Sequence, residues 1–457
     1  MKLANIVLCA GLAALLGACA QPASEAENLT RWVDPKIGTG GHGHVFVGAN
    51  VPFGLVQVGP TSIPQEWDWC SGYHESDSTV IGFSHTHLSG TGIGDLFDVT
   101  VMPVVGEVTC ARGVEENPQS GLWSYADRSK EVVEPGYYSV PLSRYGITAE
   151  MTATSRVGLH RYTFPASDDA AVVFDLENGG CWDKATETGF TFSEDSTRLS
   201  GWRYSMGWAR DQKVYFVAEF SKPAKGITYL QPGEPDDSKM PRIAARYARV
   251  DFDMAEGEQL LMKVALSPVS IEGAEANLEA ELPGWNFEAT RLAADKAWND
   301  ELSKVRVETA DDAAKRIFYT ALYHASLSPN LISDVDGAYC VEGRLLHSPF
   351  PQYSNFSAWD TYRAQHPLLL LTAPAQSADM VNSLVSRHTV AGLELPVWEC
   401  LGHDNICMIG YSTVPILADA ILKGVPGIDV EGAYRAMCHA ATSNDKHSQT
   451  YGPCGMD

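Results

Sequence analysis

The hydrophobic pattern changes period once along this chain, and that change limits the possible folds more than any other feature. Up to about Pro268 the apolar runs are short and alternate with polar residues. "GITAEMTATSRVGLHRYTFPASDDAAVVFDL" contains three β-rich runs divided by turn formers, among them Pro165, Ser167 and Asp168. "RVDFDMAEGEQLLMKVAL" alternates Val250, Phe252 and Met254 with Asp251 and Asp253, turns at Glu256-Gly257 and returns as a second strand. Short strands with frequent turn signals predict a β-sandwich. After about Asn277 the spacing becomes helical. Ala294, Trp298, Leu302 and Val305 mark a connecting helix. Thr309 followed by Asp312 resembles a capping box that opens the next one, with Ala314, Phe318, Ala321, Leu322 and Ala325 on its apolar face. Further helices are expected at Trp359–Leu371, Ser377–Ala391, Thr413–Lys423 and Val430–Thr442. The expected class is α+β and multidomain: a β-sandwich over 32–272, a helical linker over 273–308 and a helical array over 309–457.

With 457 residues the chain has room for two or three domains. Its net charge of −24 argues against nucleic acid, whose phosphates need a basic surface. The N-terminus reads as an export signal over 1–19, followed by a polar tether over 20–31. Leu16-Gly17-Ala18-Cys19 resembles a bacterial lipobox, with Cys19 as the lipid anchor. The expected location is that of an exported bacterial lipoprotein, in the periplasm or at the outer membrane. Apart from Cys9 and Cys19, eight cysteines are scattered with no CxxC pair, so a structural zinc site is not expected.

Four stretches gather residues that could do chemistry. "EWDWCSGYHESDSTVIGFSHTHLSGTGIGDLFDVTVMP" holds Trp67, Trp69, Tyr73, His74, Asp77, His85, His87 and Asp95 among many glycines. Indole rings on loops can stack on the apolar face of a sugar; the plainer alternative is that they pack a sandwich edge. His85 and His87 share one side of a strand, so they could chelate a metal or serve the core. "GTGGHGHVFVGANVPFG" carries Gly38, Gly40, Gly41 and Gly43 with His42 and His44. It lacks the Lys-Ser/Thr and following helix of a phosphate loop, which excludes a nucleotide site of that type. "SAWDTYRAQHPL" places Trp359, Asp360 and Arg363 before an apolar run. Asp360 and Arg363 could pair across one helix turn, or Asp360 could accept sugar hydroxyls while Arg363 donates to them. "LELPVWECLGHDNICMIGY" adds Glu399 beside Trp398, then His403 and Asp404. A carboxylate there could be a general acid, a hydroxyl ligand or a structural group.

Taken together, "VDPKIGTGGHGHVFVGANVPFG", "GYHESDSTVIGFSHTHLSGTGIGD", "SAWDTYRAQHPL" and "LPVWECLGHDNICMIGYSTVPILADAILKG" resemble glycoside hydrolase family 92, bacterial exo-acting α-mannosidases. The resemblance spans most of the mature chain. It implies a β-sandwich, a helical linker and an (α/α)6 barrel, with calcium-dependent, inverting hydrolysis at a site between the domains. It implies that Trp67 and Trp69, with Gly72 nearby, line the leaving-sugar subsite, as in α-1,2-specific members. Trp359, Asp360 and Arg363 then grip the terminal mannose, and Glu399 and His403 lie close by. The implied partners are mannose-containing glycans, and a membrane through the lipid anchor. The segments resembling "TEGNAWQY" and "GNEDxGQMSAW", which carry the family's acid and base, do not occur here. About half of the barrel's helices are visible. The expectation is therefore a truncated chain with an incomplete barrel, most calcium ligands lying beyond it, bare apolar helix faces, poor solubility and no cleavage by itself. A non-catalytic mannose-binding lipoprotein is the alternative.

Overall fold

The computed structural model describes residues 27–443, apart from 66, 95, 181–182 and 233–243. The leader with Cys19, most of the tether, and Asp95 lie outside the described residues.

The strand-like half forms two antiparallel sheets of seven and eight strands. Ser167–Asp175 lies between Thr100–Val105 and Tyr247–Met254 in the first sheet. Its run Ala170 to Phe174 is wholly buried, which explains its unbroken apolar sequence. Phe174 stacks on Phe216 of the second sheet at 5.9 Å, closing the space between the layers. The predicted return at Glu256-Gly257 is present but is not a hairpin. Tyr247–Met254 belongs to the seven-stranded sheet and Gln259–Ser267 to the eight-stranded one. The turn is thus a corner between layers, with Gly257 at φ +73°. Pro165 sits at a second such corner, between Val157–Thr163 and Ser167–Asp175.

Two helices form the linker: α1 (Ile271–Glu281), capped by Ser270, and α2 (Phe287–Leu302), capped by Asn286. Ala274 and Leu278 of α1 pack on Val157, Leu159 and Val217 of the eight-stranded sheet. Trp298 of α2 is fully buried. Its indole N–H donates to the Asn50 carbonyl of the sandwich at 2.7 Å, and its ring lies 4.4 Å from Tyr323 of the helical region. The expected connector is therefore a three-way joint.

The helical array comprises α3 (Asp312–Ala325), α4 (Ala358–Thr361), α5 (Gln365–Thr372), α6 (Pro374–Thr389), α7 (Thr413–Leu422) and α8 (Val430–Thr442). Two expectations are corrected here. The cap of α3 is Asp311, whose carboxylate accepts from the Ala314 N–H; Thr309 instead accepts from the Asp311 N–H. The single helix expected over Trp359–Leu371 is broken at 362–364. A continuous helix would need Pro367 to donate to the Arg363 carbonyl, which proline cannot do, so the chain restarts with Pro367 in the first turn of α5. Leu384, Val385, Leu417 and Ala433 form the centre of this region. Leu371 in α5, Leu422 at the end of α7 and Ile409 in the loop before α7 are each at least 74% exposed.

Candidate functional site

Loops from both regions meet at a cavity of about 400 Å³. The sandwich supplies residues 88–91. The helical region supplies segments within 324–329 and 355–366, together with Trp398. The backbone of the wall is tied at several points. Gln365 donates to the carbonyls of Ala325 at 2.7 Å and Ser328 at 2.6 Å. Asn355 donates to Asn330 at 2.8 Å and accepts from the Leu401 N–H at 2.9 Å. Sandwich and array are stitched together directly beneath: Gln57 donates to the Leu327 carbonyl and Asn330 to the Gly54 carbonyl, each at 2.8 Å.

Asp360 lines this cavity. One carboxylate oxygen accepts from the Ser357 hydroxyl, which leaves acceptor capacity on the other. Arg363 does not pair with it. Its Nε–H donates to the Tyr362 hydroxyl at 2.6 Å, and its guanidinium lies 5.1 Å from that ring. The surface ion pair is therefore not formed, but Arg363 and Trp359 do not line the cavity either. Both are exposed beside it.

Trp67 and Trp69 stand behind the 88–91 wall. Trp67 is 52% exposed, and its indole N–H donates to the Gly92 carbonyl at 2.9 Å. Trp69 is partly buried, with its N–H on Asp77 at 2.7 Å and one face stacked on His74 at 4.3 Å. Gly72 has φ +89°, and a Cβ there would lie 3.3 Å from His87 Nε2. It belongs to the tight turn that carries the tryptophans.

Glu399 and His403 are buried in a short antiparallel pairing of Glu399–Cys400 with His403–Asp404. Arg387 donates to Glu399 at 2.5 Å, and both side chains are almost completely enclosed. Burial pushes the Glu399 carboxyl above its usual range, against the pull of Arg387. Glu342 faces both Arg387 and His403, at 3.3 and 3.4 Å. Its carboxyl falls to about 2 although burial, the largest influence, opposes this; the hydrogen bonds from His403 and the Asp404 N–H, with the Arg387 charge, outweigh burial. Asp404 accepts the backbone N–H groups of Val397, Trp398 and Ile406. These acids brace the loop that presents Trp398 to the cavity, and neither Glu399 nor His403 lines it.

His85 and His87 are also core residues. His85 donates to the Val99 carbonyl at 2.6 Å and meets His160 at 2.9 Å; His87 bonds the Gln57 carbonyl at 2.8 Å. Several lining residues carried no separate signal in the sequence. His324 sits at the end of α3 and His366 in the first turn of α5, and the Nε2 of each has no hydrogen-bond partner. Burial lowers the His366 imidazole to about 4, so it is neutral near pH 7. Only their adjacency to "WDTYR" could have flagged Gln365 and His366, and nothing in the sequence flagged His324.

The N-terminal domain model of glycosyl hydrolase family 92 matches residues 32–267, and the catalytic domain model of that family matches 273–455. The chain belongs to glycoside hydrolase family 92. The expectation of a chain cut short is not borne out by these matches, because the catalytic domain is matched as well as the N-terminal one. Among solved structures, this family 92 chain is similar to a family GH92 α-mannosidase from Bacteroides thetaiotaomicron, which has also been solved with mannoimidazole. The first of those structures is 37% identical with a TM-score of 0.87, over 92% of this chain and 58% of that one. A family GH92 inverting mannosidase from Bacteroides thetaiotaomicron VPI-5482 is 26% identical with a TM-score of 0.80, over 93% of this chain and 57% of that one. An uncharacterized secreted glycosidase of Arthroderma benhamiae is 25% identical over 378 residues, 74% of this chain and 46% of its own length. The chain thus spans about half the length of the relatives it matches.

Proposed function

We propose that this protein acts on mannose-containing glycans as an exo-α-mannosidase, with the terminal mannose held in the cavity between sandwich and helical array. The observation that carries the reading is Asp360, an acid with free acceptor capacity on the wall of an interdomain cavity in a family 92 chain. Trp67 and Trp69 flank the leaving-sugar side, and an α-1,2 linkage follows from resemblance alone. Arg363 and Trp359 join the grip only if the exposed turn at 362–364 shifts towards the cavity. Inverting stereochemistry belongs to the proposal on the same family grounds. So does calcium, although the described residues contain no group of three or more His, Cys, Asp or Glu side chains able to hold a metal ion. No residue is assigned to calcium and no step is routed through it. Export with a lipid on Cys19 is proposed from the leader sequence. Among the described residues no helix is long and apolar enough to cross a membrane.

The test is a calorimetric titration with mannose. Asp360→Ala should abolish binding, while Trp69→Ala should weaken it for a disaccharide more than for mannose. Unchanged affinity in both variants would remove the site assignment.

A second reading, sugar binding without cleavage, is favoured by one observation. Glu399 and Asp404, the acids that follow Trp398 in the same loop, are buried in an ion pair and a backbone cradle. Hydrolysis with inversion needs two carboxyls about 6.5–9.5 Å apart with water between them. Mannose release by the purified chain supports the first reading; tight binding with no release supports the second.

A further inference from the structure

Behind the cavity wall, the 42–44 segment closes on one carboxylate of the turn that carries Trp67 and Trp69. Asp68 Oδ1 lies 2.6 Å from His42 Nδ1 and 3.2 Å from His44 Nε2. The His42 hydrogen bond is the largest influence holding the Asp68 carboxyl below its ordinary range. Both imidazoles lean on Trp67: His44 meets it edge-on at 4.3 Å, and His42 is tilted at 5.4 Å. The opposite boundary of the ring is the backbone of Gly92. A Cβ at Gly92 would come within 2.6 Å of the indole, so the ring lies closer to the chain than any other residue would allow. The latch reaches the cavity wall as well. The Gly90 N–H donates to the His44 carbonyl at 2.7 Å, and the Phe46 N–H donates to the Ser89 hydroxyl at 3.2 Å. Ser89 and Gly90 line the cavity.

An indole that is 52% exposed would ordinarily be free to change rotamer. Here its N–H, its edge and its approach to the backbone are all determined. We propose that Asp68, acting through His42 and His44, is a positioning residue that fixes Trp67 as a platform for a second sugar ring, outside the cavity that holds the first. This rests on the sugar-binding reading above. A pyranose stacks through its C–H face, so a ring held at one tilt selects the linkage that presents that face. The wall and the platform share the 89–92 loop, which sets their separation.

The test compares mannose with an α-linked mannobiose by calorimetry on the full chain. The wild type should bind the disaccharide more tightly. Asp68→Ala should lower that preference at least about fivefold, the loss of one well-placed aromatic contact, and leave mannose affinity unchanged. His42→Ala, on a side chain that is 76% exposed and so safe for folding, should act in the same direction. Asp68→Asn, which keeps an acceptor oxygen, should restore most of the preference. Loss of preference in Trp67→Ala with none in Asp68→Ala or His42→Ala overturns the latch. Equal wild-type affinity for both sugars overturns the platform. If the wild type binds neither sugar, the site reading fails and the latch fails with it.

Discussion

At the residue scale, the structure separates acids that can meet a ligand from acids that hold the loop. Asp360 is exposed at a cavity wall, whereas Glu399 is locked against Arg387. Glu399→Ala would leave the Arg387 guanidinium buried without its closest partner. The expected cost is about 3–5 kcal/mol, read as a shift in the urea midpoint. Its effect on mannose affinity should arise only through Trp398, so binding measured well below that midpoint should fall less than in Asp360→Ala. The reverse ranking would return Glu399 to the site. Gly92→Ala makes a sharper point: its methyl group would displace the Trp67 ring, so it should reproduce the disaccharide defect of Trp67→Ala with little change in melting temperature. The stretches that hold these residues were legible in the sequence, because Trp, Asp and Arg gather there beside turn formers. Their separation into lining and bracing was not. Asp360 and Glu399 look alike in sequence, and only the placement of Arg387 twelve residues upstream of Glu399 distinguishes them.

At the element scale, the sandwich carries a buried histidine chain with a definite proton order. The Val99 carbonyl can only accept, so His85 Nδ1 carries the proton and its Nε2 accepts from His160 Nε2. The Tyr162 hydroxyl then donates to His160 Nδ1. Burial keeps these rings neutral: His85 falls to about 4, His87 to about 3, and His160 well below the usual value. The sign follows directly. On acidification through about 6.5 the unfolded chain binds protons that the folded sandwich refuses. Stability is therefore complete above about 6.5 and is lost as pH falls towards 4, by up to about 1.4 kcal/mol per pH unit for each histidine. Urea melts at pH 7, 6 and 5 should show this slope, and His87→Phe should reduce it; a flat profile would count against neutral burial. Most helices of the array, and the strands around Ser167–Asp175, Tyr247–Met254 and Gln259–Ser267, could be read from periodicity alone. The corners at Pro165 and Glu256-Gly257 could not be told from hairpins, because alternation shows which residues are inward but not which sheet receives the strand. Pro367 did contain the signal for the break before α5, and its missing N–H makes the break necessary.

On the scale of the whole molecule, Trp298 joins sandwich, linker and array at a single point. Trp298→Ala should cost about 3–5 kcal/mol, and calorimetry should show one unfolding transition in the wild type that splits in the variant. Two transitions already present in the wild type would mean that the joint carries little coupling. The sequence by itself determined that a sheet domain precedes a helical one and that the chain resembles family 92. Both follow from local order: the period of the apolar residues, and the succession of short motifs. Tertiary structure alone decided which motif residues share a cavity. Leu88 to Thr91 and Asp360 are far apart along the chain and meet because the sandwich and the array are stitched together beneath them. Such contacts depend on how two packed surfaces fit, and no local pattern encodes that fit.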